Sequence, residues 1–137
     1  TGEQGLTDWL TWQYADQVPF LSTWVEGAGA AVRALMKAKP ELACARCVSQ
    51  PSLKDQYRVF DVPPEVMMKG HGCEGLYVPF PAAASVQAAA LAMEMVQAWL
   101  DGAESPSFRT RVLDQQRKAH FKDSSPHRYE GCPACAT

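Results

Sequence analysis

An α/β fold is predicted, a mixed and largely antiparallel sheet backed by one long buried helix, and three observations predict it. Two apolar runs, Phe20–Val25 and Ala31–Ala38, flank the Gly27-Ala28-Gly29 turn. Ala82–Leu100 is a long run of alanine, methionine and leucine, all strong helix formers. Two Cys-x-x-Cys pairs, Cys44/Cys47 and Cys132/Cys135, have the spacing that lets both sulfurs of a pair reach one metal. Together they would make a four-cysteine zinc clip joining the end of the chain to its middle.

Each element has a local reason. Leu6–Gln17 reads as a short amphipathic helix, with Thr7 as a cap and Leu6, Trp9, Leu10 and Tyr14 at helical spacing. Pro19 stops it. Phe20–Val25 is aromatic and β-branched, as a strand should be. Ala31–Ala38 returns antiparallel after the glycine turn, and the first Cys-x-x-Cys comes at once after it. Residues 48–81 are irregular and hold Pro51, Pro63, Pro64, Pro79 and Pro81. A stretch this long without a clear element points to a functional loop. Tyr57–Val62 is a candidate short strand within it. Ala82–Leu100 then forms the helix, with Ser85 as an early cap and Gly102 as its stop. Gln87, Glu94, Gln97 and Asp101 make a narrow polar stripe on an otherwise apolar surface, so the helix is expected to be buried against the sheet. Phe108–Leu113 and Lys118–Phe121 read as strands of a hairpin turning near Asp114–Gln116.

Composition excludes several classes. A chain of 137 residues is one domain or a piece of one, and 47% apolar residues suffice for a core. Only 20% of residues are charged and the net charge is −2, which gives no nucleic-acid surface. Gln87, Glu94 and Gln97 interrupt the one stretch long enough to span a bilayer. No signal peptide opens the chain, and the first residue is not methionine, which reads as a fragment or a processed product. An odd count of five cysteines, four of them at zinc spacing, favours the reducing cytoplasm over a disulfide scaffold.

The cysteines divide into two jobs. Cys44, Cys47, Cys132 and Cys135 fill all four corners of a closed structural site, which leaves no place for a catalytic water. Redox pairs or plain disulfides are the alternatives, and His127 is a conceivable substitute ligand. Cys73 stands apart in Gly70-His71-Gly72-Cys73-Glu74-Gly75. It is either a small buried apolar residue or a nucleophile on a bendable loop, with His71 and the following helix N-terminus favouring the thiolate and Glu74 opposing it.

Other features read blandly. Gly27-Ala-Gly29-Ala-Ala follows a strand but lacks the third glycine and the acidic partner of a dinucleotide fingerprint, so it is a hairpin turn. The methionines Met36, Met67, Met68, Met93 and Met95 are core or loop filler. Trp9, Trp12, Trp24 and Trp99 sit in predicted elements. Arg117, Lys118 and Lys122 form a solvated strand face.

The order of parts resembles the C-terminal half of the adenylating domain of ubiquitin-activating enzymes and sulfur-carrier adenylyltransferases. The residues that carry it are the paired Cys-x-x-Cys and the helix lead-in Gly75-Leu-Tyr-Val-Pro-Phe-Pro-Ala-Ala-Ala-Ser. The segment Val18-Pro-Phe-Leu-Ser-Thr-Trp-Val-Glu-Gly is most like divergent bacterial enzymes that activate a ubiquitin-like protein. The resemblance spans roughly residues 1–135. It implies one zinc shared by Cys44, Cys47, Cys132 and Cys135, and a crossover loop over about 48–81 that is mobile and carries Cys73 as thioester nucleophile. It also implies ATP and magnesium in the complete enzyme, bound by an N-terminal nucleotide-binding half not present in these residues. Thr1-Gly2-Glu3 would be a remnant of that half's boundary, and Glu3 is a poor match for its acidic residue. Implied partners are a ubiquitin-like protein, a conjugating-enzyme-like carrier and a second copy in a homodimer. The rival readings are a sulfur-carrier adenylyltransferase, a non-catalytic zinc-stabilised binding module and a dithiol redox protein.

Overall fold

A computed structural model describes residues 4–50, 55–61, 67–69 and 76–135. The elements run α1 (Gln4–Tyr14), β1 (Phe20–Glu26), β2 (Ala31–Lys37), α2 (Ala45–Val48), β3 (Met68–Lys69), β4 (Leu76–Tyr77), α3 (Ala82–Leu100) and β5 (Phe108–Val112). β1, β2 and β5 form one antiparallel sheet in that order, with β2 in the centre. β3 and β4 pair as a separate two-residue ladder. The α/β class and the antiparallel sheet are as the sequence leads one to expect.

The β1–β2 hairpin exists because of its turn. Glu26 pairs with Ala31, and the four residues between them include Gly27, Ala28 and Gly29 at φ 63°, 54° and 94°. Glycine reaches that left-handed region without a Cβ clash. Gly29 has a second reason to be glycine: a Cβ there would stand 2.7 Å from Pro81 Cδ, at the start of α3. The hairpin tip and the helix N-terminus therefore touch backbone to side chain.

Every residue of β2 is buried, which is the signature of a strand covered on both faces. Val32, Ala34 and Met36 point to α3 and pack on Ala84, Ala88, Leu91 and Met95. Leu35 points the other way, into a cluster with Phe108, Ala15, Ala43, Val48 and the four cysteines of the two pairs. The alternation of a strand thus builds two half-cores from one segment.

α3 is buried along one row rather than all round. Val86, Met93 and Leu100 are exposed, Met93 to 72%. A single three-stranded sheet can cover only one side of a helix. The expected polar stripe has a different job from facing water alone, since Gln87 and Glu94 accept hydrogen bonds from Arg111 of β5. The helix bounds match expectation, but Ser85 lies inside them and Pro81 takes the N-cap position. At the other end Gly102 has φ 65°, with Ala103 N–H bonded to Ala98 O and Gly102 N–H to Trp99 O. That is the Schellman closure the sequence pointed to. Thr7 likewise lies within α1 rather than capping it.

Two expected strands do not form. Residues 55–57 make a turn, and Phe60 contributes one isolated bridge to Ala119; Val62 lies outside the described residues. Lys118–Phe121 does not return on β5 as a hairpin. The outer edge of β5 is taken instead by Ser124, whose backbone exchanges both hydrogen bonds with Phe108, and by the Asp123 carboxylate, which accepts from Thr110 N–H. The turn after Asp114 leads the chain across to Phe60, where Arg117 stacks at 4.1 Å over the ring and donates to Gly27 O. Arg117 is therefore tied down rather than part of a solvated strand face.

Candidate functional site

The site is assembled by two turns that approach each other from distant parts of the chain. On the first, Cys44 is the N-cap of α2, and Cys47 N–H and Val48 N–H both bond Cys44 O. A Cys-x-x-Cys closed by one helical turn puts both sulfurs on the same side. On the second, Cys132 N–H bonds Tyr129 O, with Gly131 at φ 79° in the bend, and a turn over 133–135 carries the last cysteine.

The approaches to the two turns are paired. Leu42 bridges His127, Ala43 N–H bonds Pro126 O, and Arg128 N–H bonds Glu41 O. Both turns therefore leave one short ladder in fixed register. His127 is exposed within that ladder and is not among the residues that gather at the sulfurs.

The four sulfurs of Cys44, Cys47, Cys132 and Cys135 lie within 4.8 Å of one another, and all four residues are buried. Cys44 is 3.8 Å from Cys47 and 3.8 Å from Cys132, and Cys47 is 3.4 Å from Cys135. Thiolates about 2.3 Å from a tetrahedral metal stand about 3.8 Å apart. A disulfide needs about 2.05 Å. The spacing fits a shared metal ion and not a bonded pair. Four buried thiols would otherwise be weak donors packed against each other.

The electrostatics distinguish the sulfurs. Cys47 is pulled down to about 4 by the Cys44 thiol that donates to it, and the Tyr129 N–H at 3.4 Å helps. Cys44 is pushed up, first by donating to Cys47 and then by burial. Burial, followed by the hydrogen bond to Cys47, pushes Cys135 up to about 12. One preferred anion among crowded neighbours is what a cation would relieve, since metal binding removes the protons from every ligand.

Two cations flank this cluster that sequence reasoning did not single out. Arg33 is buried, with its guanidinium carbon 4.2 Å from the Phe108 ring centre and 4.4 Å from that of Phe121. It donates to Glu26, Thr110 and the Tyr57 carbonyl. Burial lowers its pKa, and Glu26 works against that shift. Lys37 is equally buried, and its Nζ meets four oxygens at 3.0–3.3 Å. The signal was present in the sequence: two cations at odd positions of an otherwise apolar central strand, Ala-Val-Arg-Ala-Leu-Met-Lys.

Cys73 and the rest of residues 70–75 lie outside the described residues, as do Thr1, Gly2 and Glu3. Among the described residues no helix is long and apolar enough to cross a membrane.

No protein-family model matches the chain. The chain is 44% identical over 135 residues to the ATP-dependent ubiquitin transferase-like protein Cap2 of Pseudomonas aeruginosa (strain BWHPSA011 / Pa011). The match covers 98% of this chain and 25% of that protein, so the chain spans about a quarter of the length of its curated relative.

Proposed function

We propose that these residues are the C-terminal, zinc-clipped part of an adenylating domain that activates a ubiquitin-like protein. The observation that carries the reading is the likeness, across nearly the whole chain, to a protein named as an ATP-dependent ubiquitin transferase-like protein. That name supports the ubiquitin-activating-like family. The four-sulfur cluster supports it independently, because a zinc shared by Cys44, Cys47, Cys132 and Cys135 is what the resemblance implies.

In this reading the zinc is structural. Four cysteines complete its coordination, so it supplies folding energy and no bound water. ATP and magnesium bind outside these residues, in the N-terminal nucleotide-binding half that the resemblance implies. There the C-terminal carboxylate of the ubiquitin-like protein displaces pyrophosphate and becomes an acyl-adenylate. The Cys73 thiolate then attacks the acyl carbon. A carbon–sulfur bond forms, the bond to the phosphate oxygen breaks, and AMP leaves. Cysteine suits the step because it is nucleophilic near neutral pH and its thioester stays reactive towards a carrier. Such a transfer needs a thiol that can travel to the adenylate. The carrier is a conjugating-enzyme-like protein, the active form is a homodimer, and the compartment is the cytoplasm.

The test uses the longest form of the protein with ATP, magnesium and candidate ubiquitin-like proteins. A thiol-sensitive conjugate should form, and Cys73→Ala should abolish it while ATP–pyrophosphate exchange persists. A reducible conjugate that survives Cys73→Ala removes Cys73 from the mechanism.

A further inference from the structure

Lys37 closes β2 with its side chain on the cysteine side of the sheet, 3% exposed. Its Nζ lies 3.3 Å from Lys39 O, 3.0 Å from Pro40 O and 3.2 Å from Leu42 O. Asp16 Oδ1, on the turn after α1, is 3.2 Å away. A buried ammonium without partners would be very costly, and here its donors are fully used. The turn over 38–42 wraps the ammonium much as a loop wraps a bound cation, with three carbonyl oxygens facing inward.

That turn leads directly into the metal cluster. Leu42 enters the bridge with His127, and Ala43 bonds Pro126. Cys44 comes next and opens α2. The partner segment runs from Arg128, bonded to Glu41, to Tyr129, whose N–H reaches Cys47 Sγ and whose carbonyl holds Cys132. Hydrogen bonds and the short backbone steps between them thus connect Lys37 to both cysteine pairs. Asp16 adds α1, which also reaches α2 through the Asp8–Arg46 ion pair at 3.0 Å.

We propose that Lys37 is the positioning residue of the metal cluster: by gathering the carbonyls of 39, 40 and 42 it sets the path on which Cys44 and Cys47 meet Cys132 and Cys135. The inference rests on the reading of that cluster as a metal site. Lys37 donates to backbone carbonyls and to Asp16 rather than to the sulfurs, and acts through the turn. Outer partners that orient ligands are typically worth about 10–100-fold in metal affinity.

The experiment compares the unaltered protein with Lys37→Met, Asp16→Asn and Lys39→Met, each in the longest available form. Three quantities are read: zinc released to a chelator over time, the ligand-field spectrum of the cobalt(II)-substituted protein, and urea unfolding of metal-free protein. Lys37→Met should release zinc about 10–100-fold faster, with a broadened cobalt spectrum. Asp16→Asn should fall between that and the parent. Lys39→Met, on the same turn but with an exposed side chain, should match the parent.

Parental release rates in folded Lys37→Met overturn the proposal. So does a loss of metal-free stability that accounts in full for the faster release, because that is a general structural role. Where Lys37→Met does not fold, a parental rate in Asp16→Asn overturns it instead. An unaltered protein that holds no zinc or cobalt fails at an earlier step: the metal reading itself falls, and this inference with it.

Discussion

The guanidinium of Arg33 and the ring of Phe108 are stacked at 4.2 Å in the cysteine-side core, with the Phe121 ring 4.4 Å from the same cation and 4.7 Å from the Phe108 ring. Phe108 is fully buried and also contacts Trp24 and Tyr57. A desolvated cation over an aromatic face is worth about 2 kcal/mol. Removing one member of a buried charge network costs about 3–5 kcal/mol. Arg33→Ala should therefore lower unfolding stability by about 3–4 kcal/mol in urea titration, whereas Arg33→Met, which leaves Glu26, Thr110 and the Tyr57 carbonyl without their donor but keeps most of the volume, should lose clearly less. Equal losses would mean that the charge and its hydrogen bonds, not packing volume, are what Arg33 supplies.

Gly29 is the position where hairpin and long helix meet. A methyl group there collides with Pro81 and also sits at φ 94°. Left-handed strain of about 1–2 kcal/mol adds to an overpacking cost of about 1–3 kcal/mol. Gly29→Ala should thus destabilise by about 2–4 kcal/mol. Ala28 is the converse case, a residue with a Cβ at φ 54°, and Ala28→Gly should be neutral or stabilising by under about 1 kcal/mol. Thermal melts of the two variants should move in opposite directions or differ by several degrees.

Metal linkage should be measurable directly. A ligand that binds the native state alone stabilises by about 4 kcal/mol at a thousandfold excess over its Kd. The melting temperature should rise with free zinc and fall after chelation, and Cys44→Ser should flatten that dependence. A melting temperature indifferent to zinc and to chelator would contradict a shared metal site.

Glu94 ties α3 to β5. Both of its carboxylate oxygens accept from Arg111 Nη2, at 2.7 and 2.8 Å, and that contact holds its pKa below the ordinary 4.5. A depressed folded value means that the carboxylate stabilises above the unfolded pKa and loses that contribution as pH falls through the folded one. The pair is about half exposed, so Glu94→Gln should cost under about 1 kcal/mol at pH 7. It should also remove part of the stability lost below about pH 4.5. An acid limb identical in the two proteins would show that Glu94 contributes nothing to it.

The parts legible in the sequence were those governed by local rules. Ala82–Leu100 is a helix because its residues favour one, and Gly102 ends it by its own conformation. The hairpin arises from two apolar runs around Gly27 and Gly29. The four cysteines were readable as one site from spacing, and their sulfurs do gather. What escaped was set by distant partners. Lys118–Phe121 has strand-like residues, but Ser124 and Asp123 occupy the edge of β5 it would need. The exposed row Val86, Met93 and Leu100 carries no polar marker, so it read as part of the buried surface outside the narrow polar stripe. Arg33 was not singled out because the rings of Phe108 and Phe121 come from far along the chain, and Lys37 was not because only the folded turn that follows it brings the carbonyls of 39, 40 and 42 inward, with Asp16 from the turn after α1.

The two cysteine turns are 88 residues apart, yet their sulfurs are neighbours, and β2 and β5 pair across the same interval. A protein joined at both ends of so long an interval does not depend on an intact backbone within it. Cleaved once between Val48 and Ala82, it should travel as a single species through size exclusion. It should separate into two peptides only when a chelator and a denaturant act together. The same property would let the two peptides, made apart, complement each other on addition of zinc.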